Sequence, residues 1–285
     1  MEIPYYINSK NISHFITEAL KEDIGDGDHS TLAAVPAGVK KKARLLVKED
    51  CLLAGVEMAR MIFHHYDETL QIEVFIHDGE MAKKGQEAFH VTGSAQSILT
   101  TERLVLNTMQ RMSGIATHTY ELKELIKGTN AVLLDTRKTT PNFRICEKWA
   151  VFIGGGTNHR YGLYDRIILK DNHIDYCGSI TQAVKKTKAY LTLHGKKLKI
   201  EVETRNLTEV EEALKAGIDR IMLDNMPPEL VKKAVKMINK KCETEVSGGV
   251  TKENILALAL SGVDYISVGA LTHSSLNKDL SLKAL

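Results

Sequence analysis

The sequence predicts an α/β protein whose second part is a closed or nearly closed barrel, preceded by a separate α+β module. From residue 114 onward, short apolar runs alternate with amphipathic stretches at helical spacing, the pattern of βα units with right-handed crossovers and a parallel sheet. Before residue 114, strands of alternating apolar and polar residues are punctuated by turn signals and joined by few helices. Neither a Gly-x-Gly-x-x-Gly nor a Walker pattern follows any strand, which favours a barrel over an open dinucleotide-binding sheet.

Composition bounds the function. A chain of 285 residues exceeds one usual domain. With 43% hydrophobic and 26% charged residues it is expected to be soluble and globular, and no run approaches the ~18 apolar residues of a membrane span. A net charge of +2 gives no reason to expect nucleic acid as a partner, and Lys40-Lys41-Lys42 and Lys196-Lys197 read as solvated strand or loop ends. Residues 1–10 lack a basic-then-apolar leader, so an intracellular, cytoplasmic protein is expected. Cys51, Cys146, Cys177 and Cys242 form no Cys-x-x-Cys pair and read as reduced thiols rather than disulfides or zinc ligands.

In the first module a helix is predicted over about residues 12–22, with Ile12, Phe15, Ile16, Ala19 and Leu20 on one face. A glycine-rich turn comes next, through Asp26, Asp28 and Thr31, solvated by its own acids and without the ligand spacing of an EF-hand. Alternation at Ala43, Leu45 and Val47 predicts a strand, residues 56–66 a helix, and residues 72–76 and 88–91 two more strands. Ser94 can cap a long helix running toward Ser113-Gly114; Arg103, Asn107 and Gln110 form a polar stripe on it, which alone reads as a solvated face.

The barrel strands are predicted near residues 132–134, 167–169, 198–202, 220–223, 244–246 and 265–268, with helices near 207–215, 229–240 and 252–260. The residues at the strand ends are informative: Asp135-Thr136-Arg137-Lys138, then Lys170-Asp171-Asn172-His173, then Glu201 and Glu203, then Asp224-Asn225, then Ser247-Gly248-Gly249, then Gly269-Ala270-Leu271-Thr272-His273. Active sites of such barrels lie at the carboxyl ends of the strands, so these groups should converge on one mouth.

The last two strand ends, Ser247 to Gly249 and Ser267-Val268-Gly269-Ala270, are small and precede helical stretches, which suits phosphate; tight turns that need glycine are the plainer explanation. Glu203 and Asp224 suit Mg²⁺ with retained waters, or sugar hydroxyls, or salt bridges to Lys138 and Lys170. Arg137, Lys138, His159, Arg160 and Lys170 place so much positive charge together that a multiply anionic, carboxylate-bearing substrate is expected. No nucleophilic serine or cysteine stands beside a histidine at recognisable spacing, and His173 with Cys177 reads as a structural pair; catalysis by positioning and electrostatics is therefore expected.

Three motifs, Asp135-Thr136-Arg137-Lys138-Thr139-Thr140-Pro141, residues 154–163 (GGGTNHRYGL) and Leu169-Lys170-Asp171-Asn172-His173, resemble signatures of the quinolinate phosphoribosyltransferase family. Glu22-Asp23-Ile24-Gly25, residues 110–117 (QRMSGIAT) and residues 267–274 (SVGALTHS) extend the likeness over nearly the whole chain, with Asn142 standing where glycine is commoner. The resemblance implies an incomplete (β/α) TIM-like barrel with an N-terminal α+β sandwich domain, here residues 1–113, 114–275 for the barrel, and a tail at 276–285 returning to the first domain. It implies transfer of a phosphoribosyl group from phosphoribosyl pyrophosphate to quinolinate with decarboxylation, Mg²⁺ as cofactor, and a homodimer. Carried over residue by residue, Arg137, His159, Arg160 and Lys170, with Arg103 from the partner chain, would hold the quinolinate carboxylates, and Thr136 belongs to the same substrate-binding motif. Lys138 would face pyrophosphate, Glu203 and Asp224 ribose hydroxyls or Mg²⁺, and Ser247, Gly248, Gly249, Ser267, Val268, Gly269 and Ala270 the 5′-phosphate. A Schiff-base aldolase using Lys170 or Lys138, and a phosphate-ligand sensor without turnover, are the competing readings.

Overall fold

The computed structural model of the chain describes residues 4–285; the first three residues of the stretch read for a leader lie outside it. The chain divides by packing into two compact units: one is the chain up to Tyr120 with Lys138–Gly155 and Ala270–Leu285, the other Glu121–Arg137 with Gly156–Gly269.

The first unit begins with α1 (Ser9–Ile24), whose Ile12, Ile16 and Leu20 are buried as their spacing requires. A short helix, α2 (His29–Ala34), replaces the open turn expected there: Thr31 donates its amide to Asp28 Oδ1 at 3.0 Å and Thr100 its hydroxyl to Oδ2 at 3.1 Å, so Asp28 is a helix cap. Then come β1 (Lys40–Val47), β2 (Cys51–Leu52), α3 (Val56–Tyr66), β3 (Gln71–Val74), β4 (Met81–Ala82), β5 (Glu87–Ser94) and α4 (Ala95–Leu125). β1 buries Ala43, Leu45 and Val47 as the alternation predicts, and Phe63 of α3 meets Phe89 of β5 edge-on at 6.1 Å.

Ser94 Oγ accepts the Ser97 amide at 3.2 Å, the cap expected for α4. The helix does not stop near Gly114 but continues to Leu125. Gly114 serves a close approach instead: a Cβ there would overlap the carbonyl oxygen of Leu276.

The second unit is built on β6 (Val132–Leu134), which is followed by α5 (Arg144–Ile153) of the first unit. It continues with β7 (Ile167–Leu169), α6 (Asp171–Cys177), α7 (Ile180–Leu193), β8 (Ile200–Thr204), α8 (Leu207–Ala216), β9 (Arg220–Asp224), α9 (Pro228–Ile238), β10 (Glu243–Ser247), α10 (Ile255–Ala259) and β11 (Tyr265–Ser267). Six parallel strands lie in the order β6-β11-β10-β9-β8-β7, and Thr157 bridges to Leu134 on the other side of β6. Among the described residues β6 and β7 do not pair, so the barrel is incomplete. All five residues of β8 are buried, as in a parallel sheet covered on both faces; α8 and α9 contribute Val210, Ala213, Val231, Ala234 and Ile238 to the core.

The chain ends in the first unit with α11 (Ala270–His273) and β12 (Leu280–Ala284). β12 pairs antiparallel with β1, giving the sheet order β12-β1-β5-β3. No helix of the described residues is long and apolar enough to cross a membrane. All four cysteines are free; burial pushes the Cys51 thiol up to about 11 and raises Cys146 as well, leaving both thiols protonated and inert.

Candidate active site

The end of β6 is held by its own acid. Asp135 is fully buried, accepting the His159 amide at 2.8 Å on Oδ1 and the Asn158 side-chain amide at 2.7 Å on Oδ2. Asp135 therefore fixes residues 158–160 beside Thr136 and Arg137 at the strand exit. Rather than adding one more charge to the mouth, this aspartate clamps the loop carrying His159 and Arg160.

Arg137 and Arg160 are half-buried, and the Nε of each is buried without a hydrogen-bond partner. Burial lowers the Arg160 pKa, and the Arg137 charge lowers it further, so the two guanidiniums face the same region and repel. Arg160 spends one N–H on the Arg166 carbonyl at 3.1 Å, which orients the fork. Two like charges with unused donors suit an anion, above all a carboxylate that can accept from a guanidinium bidentately.

His159 lies beneath them. Its Nε2 faces Glu201 at 3.2 Å and Glu245 at 3.3 Å, both fully buried, and its Nδ1 accepts the Arg160 amide at 2.6 Å. Burial opposes a charge on the imidazole, but the two carboxylates outweigh it and raise its pKa to about 9. Arg220 Nη1 reaches Glu245 at 2.7 Å and Arg166 Nη1 reaches Glu201 at 3.2 Å, while Ser267 donates its hydroxyl to Glu245 at 2.5 Å. His159, Glu201 and Glu245 have the spacing of metal ligands, but Arg220 already supplies the cation at Glu245.

Lys170 follows β7, its amide donating to His173 Nδ1 at 3.0 Å at the start of α6. Its ammonium lies 3.7 Å from Glu203, the salt bridge that is one of the three readings for that acid. Burial raises the Glu203 pKa; Lys170 opposes this, whereas the Asp224 and Asp171 charges add to it. Asp224 ends β9 half-buried, with the Asn225 amide donating to Oδ2 at 2.8 Å.

The small strand ends differ from expectation in detail. Gly248 and Gly249 have φ of +88° and +60°, and a Cβ on Gly248 would overlap the Asn225 side chain, so the turn itself requires glycine. The helix after them, α10, begins only at Ile255, whereas α11 starts directly after Gly269. The Ser267 hydroxyl points to buried Glu245, and the Val268 amide donates to the Leu134 carbonyl at 2.9 Å, so neither group is directed to the mouth.

Lys138 and Arg103 belong to the first unit and are exposed. The Lys138 carbonyl accepts the Thr272 hydroxyl at 2.8 Å, and Thr140 is held through its amide and hydroxyl by buried Glu147, itself paired to Arg111 Nε at 2.9 Å. Asp135 and Glu201, expected among the strand-end groups of the mouth, are instead fully buried, the first as a clamp and the second under His159; the residues that sequence reasoning missed are Arg220 and Glu245 beside Glu201, and Glu147 under the Lys138 loop. The position of Glu201 between Ile200 and Val202 in β8 was a signal for its burial, whereas the mixed sequence of β10 gave none for Glu245.

Two family models cover the chain: the N-terminal domain of quinolinate phosphoribosyl transferase at residues 28–113 and its C-terminal domain at residues 115–283. The chain is 46% identical over 284 residues to a carboxylating nicotinate-nucleotide pyrophosphorylase of Oryza sativa described as chloroplastic, covering 94% of this chain and 76% of the rice protein. A probable nicotinate-nucleotide pyrophosphorylase of Bacillus subtilis is 41% identical over 273 residues, 96% of this chain and 92% of that protein. The crystal structure of NadC from Streptococcus pyogenes superposes with a TM-score of 0.91 at 37% identity, covering 98% of this chain and 99% of that one.

Proposed function

The chain belongs to the quinolinate phosphoribosyltransferase family, and on that premise we propose that it transfers phosphoribose from phosphoribosyl pyrophosphate to quinolinate with loss of carbon dioxide, a step of NAD biosynthesis. The observation that carries this reading is the Arg137 and Arg160 pair, two repelling guanidiniums with buried, unused donors above a histidine held by glutamates. A pyridine dicarboxylate matches them in charge and in planar geometry. Lys170 completes the clamp, and binding of the acid competes with its 3.7 Å pairing to Glu203.

The ring nitrogen attacks the anomeric carbon with its own lone pair as pyrophosphate leaves, so no general base is required, in keeping with the absence of a nucleophilic serine or cysteine pair. The chain's residues orient the two reactants and hold the developing charges: Lys138 faces the departing pyrophosphate, and Ser247, Gly248, Gly249, Gly269 and Ala270 accommodate the 5′-phosphate. Glu203 and Asp224 are hard oxygen donors whose charges oppose one another, a set that fits Mg²⁺. The metal, when bound there, would offset the charge of the diphosphate. The nitrogen, once alkylated, carries the positive charge that stabilises the carbanion left when the adjacent carboxylate departs; a proton then takes its place. Arg137, Arg160 and Lys170 hold the ring through this step.

We further read the protein as cytoplasmic, in keeping with its four free thiols, and as a homodimer in which Arg103, exposed on α4, reaches the partner's site. Purified protein given quinolinate, phosphoribosyl pyrophosphate and Mg²⁺ is expected to release carbon dioxide and nicotinate mononucleotide in equal amounts. Arg137→Ala is expected to raise KM for quinolinate roughly ten- to a hundredfold, as for a lost charged hydrogen bond. Absence of carbon dioxide from the wild-type reaction would sink the reading, and reductive trapping of a carbonyl substrate on Lys170 would replace it with an aldolase.

A further inference from the structure

The interior of the second unit contains a polar row where a barrel ordinarily packs branched apolar side chains. Glu201 of β8, Arg220 of β9, Glu245 of β10 and Ser267 of β11 come from four adjacent strands, with Glu201 opposite Arg220 and Glu245 opposite Met222 in register. All four are buried, and the Arg220 guanidinium also stacks 3.9 Å over the Tyr265 ring. A buried ion pair is weak support for a fold, because apolar residues of similar size serve as well or better. The row therefore has another use.

Its centre is Glu245. One oxygen accepts the Ser267 hydroxyl at 2.5 Å; the other accepts Arg220 Nη1 at 2.7 Å and stands 3.3 Å from His159 Nε2. Ser267 closes the strand that leads into the small residues at Gly269 and Ala270, while His159 supports the cationic end beside Arg160. We propose that Glu245 is a positioning residue that holds the two substrate-binding halves of the site in register, its single carboxylate fixing the imidazole of His159 on the acid side and the hydroxyl of Ser267 on the phosphate side. Glu245 touches neither substrate; it acts by anchoring His159 beside Arg160 and the end of β11 at Ser267, just before Gly269 and Ala270. Glu243, two residues earlier at the start of the same strand, accepts from Arg220 Nε at 3.0 Å rather than from His159 or Ser267, which makes it the matched comparison.

This inference rests on the proposed reaction, and the test separates the two. Wild type, Glu245→Gln, Glu245→Leu and Glu243→Gln are compared in the full-length protein for thermal melting and for KM and kcat with each substrate. The expected result is that folded Glu245 variants show KM raised at least tenfold for both quinolinate and phosphoribosyl pyrophosphate, with Glu243→Gln within twofold of wild type. A rise for one substrate only, a fall in kcat with both KM values unchanged, or an equal effect of Glu243→Gln overturns the proposal while leaving the reaction standing. An inactive wild type removes the reaction itself. Should neither Glu245 variant fold, NMR decides: His159, assigned by its loss in His159→Gln, is expected to show a slowly exchanging, downfield Nε2 proton that persists in Glu201→Gln, where Glu245 is the remaining carboxylate partner. A freely exchanging Nε2 proton overturns the proposal.

Discussion

His159 is subject to two opposed demands. Glu201 and Glu245 draw a second proton to the ring and raise its pKa to about 9, yet that proton must go to Nδ1, which accepts the Arg160 amide at 2.6 Å. Charging the ring therefore turns that amide away, and the net stabilisation is below what the carboxylates alone would give. A histidine with a raised folded-state pKa contributes fully below its unfolded value of about 6.5 and loses that contribution as pH rises through about 9. Wild type is thus expected to lose up to about 3 kcal/mol relative to His159→Gln between pH 6.5 and 9.5, measured by urea unfolding at each pH; parallel pH curves would show that the ring stays neutral. At this scale Arg137, Lys138 and Lys170 were legible because each closely follows the end of an apolar run. Glu245 was not, because Glu243 and Glu245 alternate with Thr244 and Val246 as outward-facing residues of a half-exposed strand would, whereas β10 has neighbours on both sides and buries the second acid.

Among the elements, α4 shows how a local signal can be right about a residue and wrong about its purpose. Ser113-Gly114 reads as a helix end, since glycine is the common stop residue. Ser113 and Thr117, which accept the Ala54 and Leu52 amides, hold α4 on either side of it and carry the helix onward, and the glycine is kept for the passage of the Leu276 carbonyl. Helix propensity alone makes Gly114→Ala favourable by about 1 kcal/mol, but the overlap with backbone forces residues 276 and 277 to shift. The expected outcome is the reverse of propensity, a destabilisation of about 2–3 kcal/mol seen as a melting temperature lower by roughly 5 °C or more. A raised melting temperature would show that the segment yields freely. The βα alternation of the second unit was readable from periodicity because each strand and helix has a strong pattern of its own. The helix after Asp28 escaped notice because six residues give too few repeats, and its cap is completed by Thr100 from far along the chain.

For the molecule as a whole, the proposed exchange of Arg103 between subunits has a quantitative signature. Arg103→Ala and Lys170→Ala proteins, each nearly inactive alone, are expected to recover about a quarter of wild-type activity when mixed under conditions of subunit exchange, since half the dimers are mixed and each has one intact site. Mixtures no more active than their components would place Arg103 outside the partner's site. No periodicity could reveal that relation, because a single chain's pattern does not say which exposed arginine faces a neighbour. The pairing of β12 with β1 has a further consequence in time rather than in space. During synthesis one edge of β1 stays uncovered until residues 280–284 leave the ribosome, so the first sheet to begin is among the last to be finished. The nascent chain must keep that open strand from foreign partners for most of its length, and the lysines at 40–42, at the start of β1, are charges of the kind that protect such an edge while it waits.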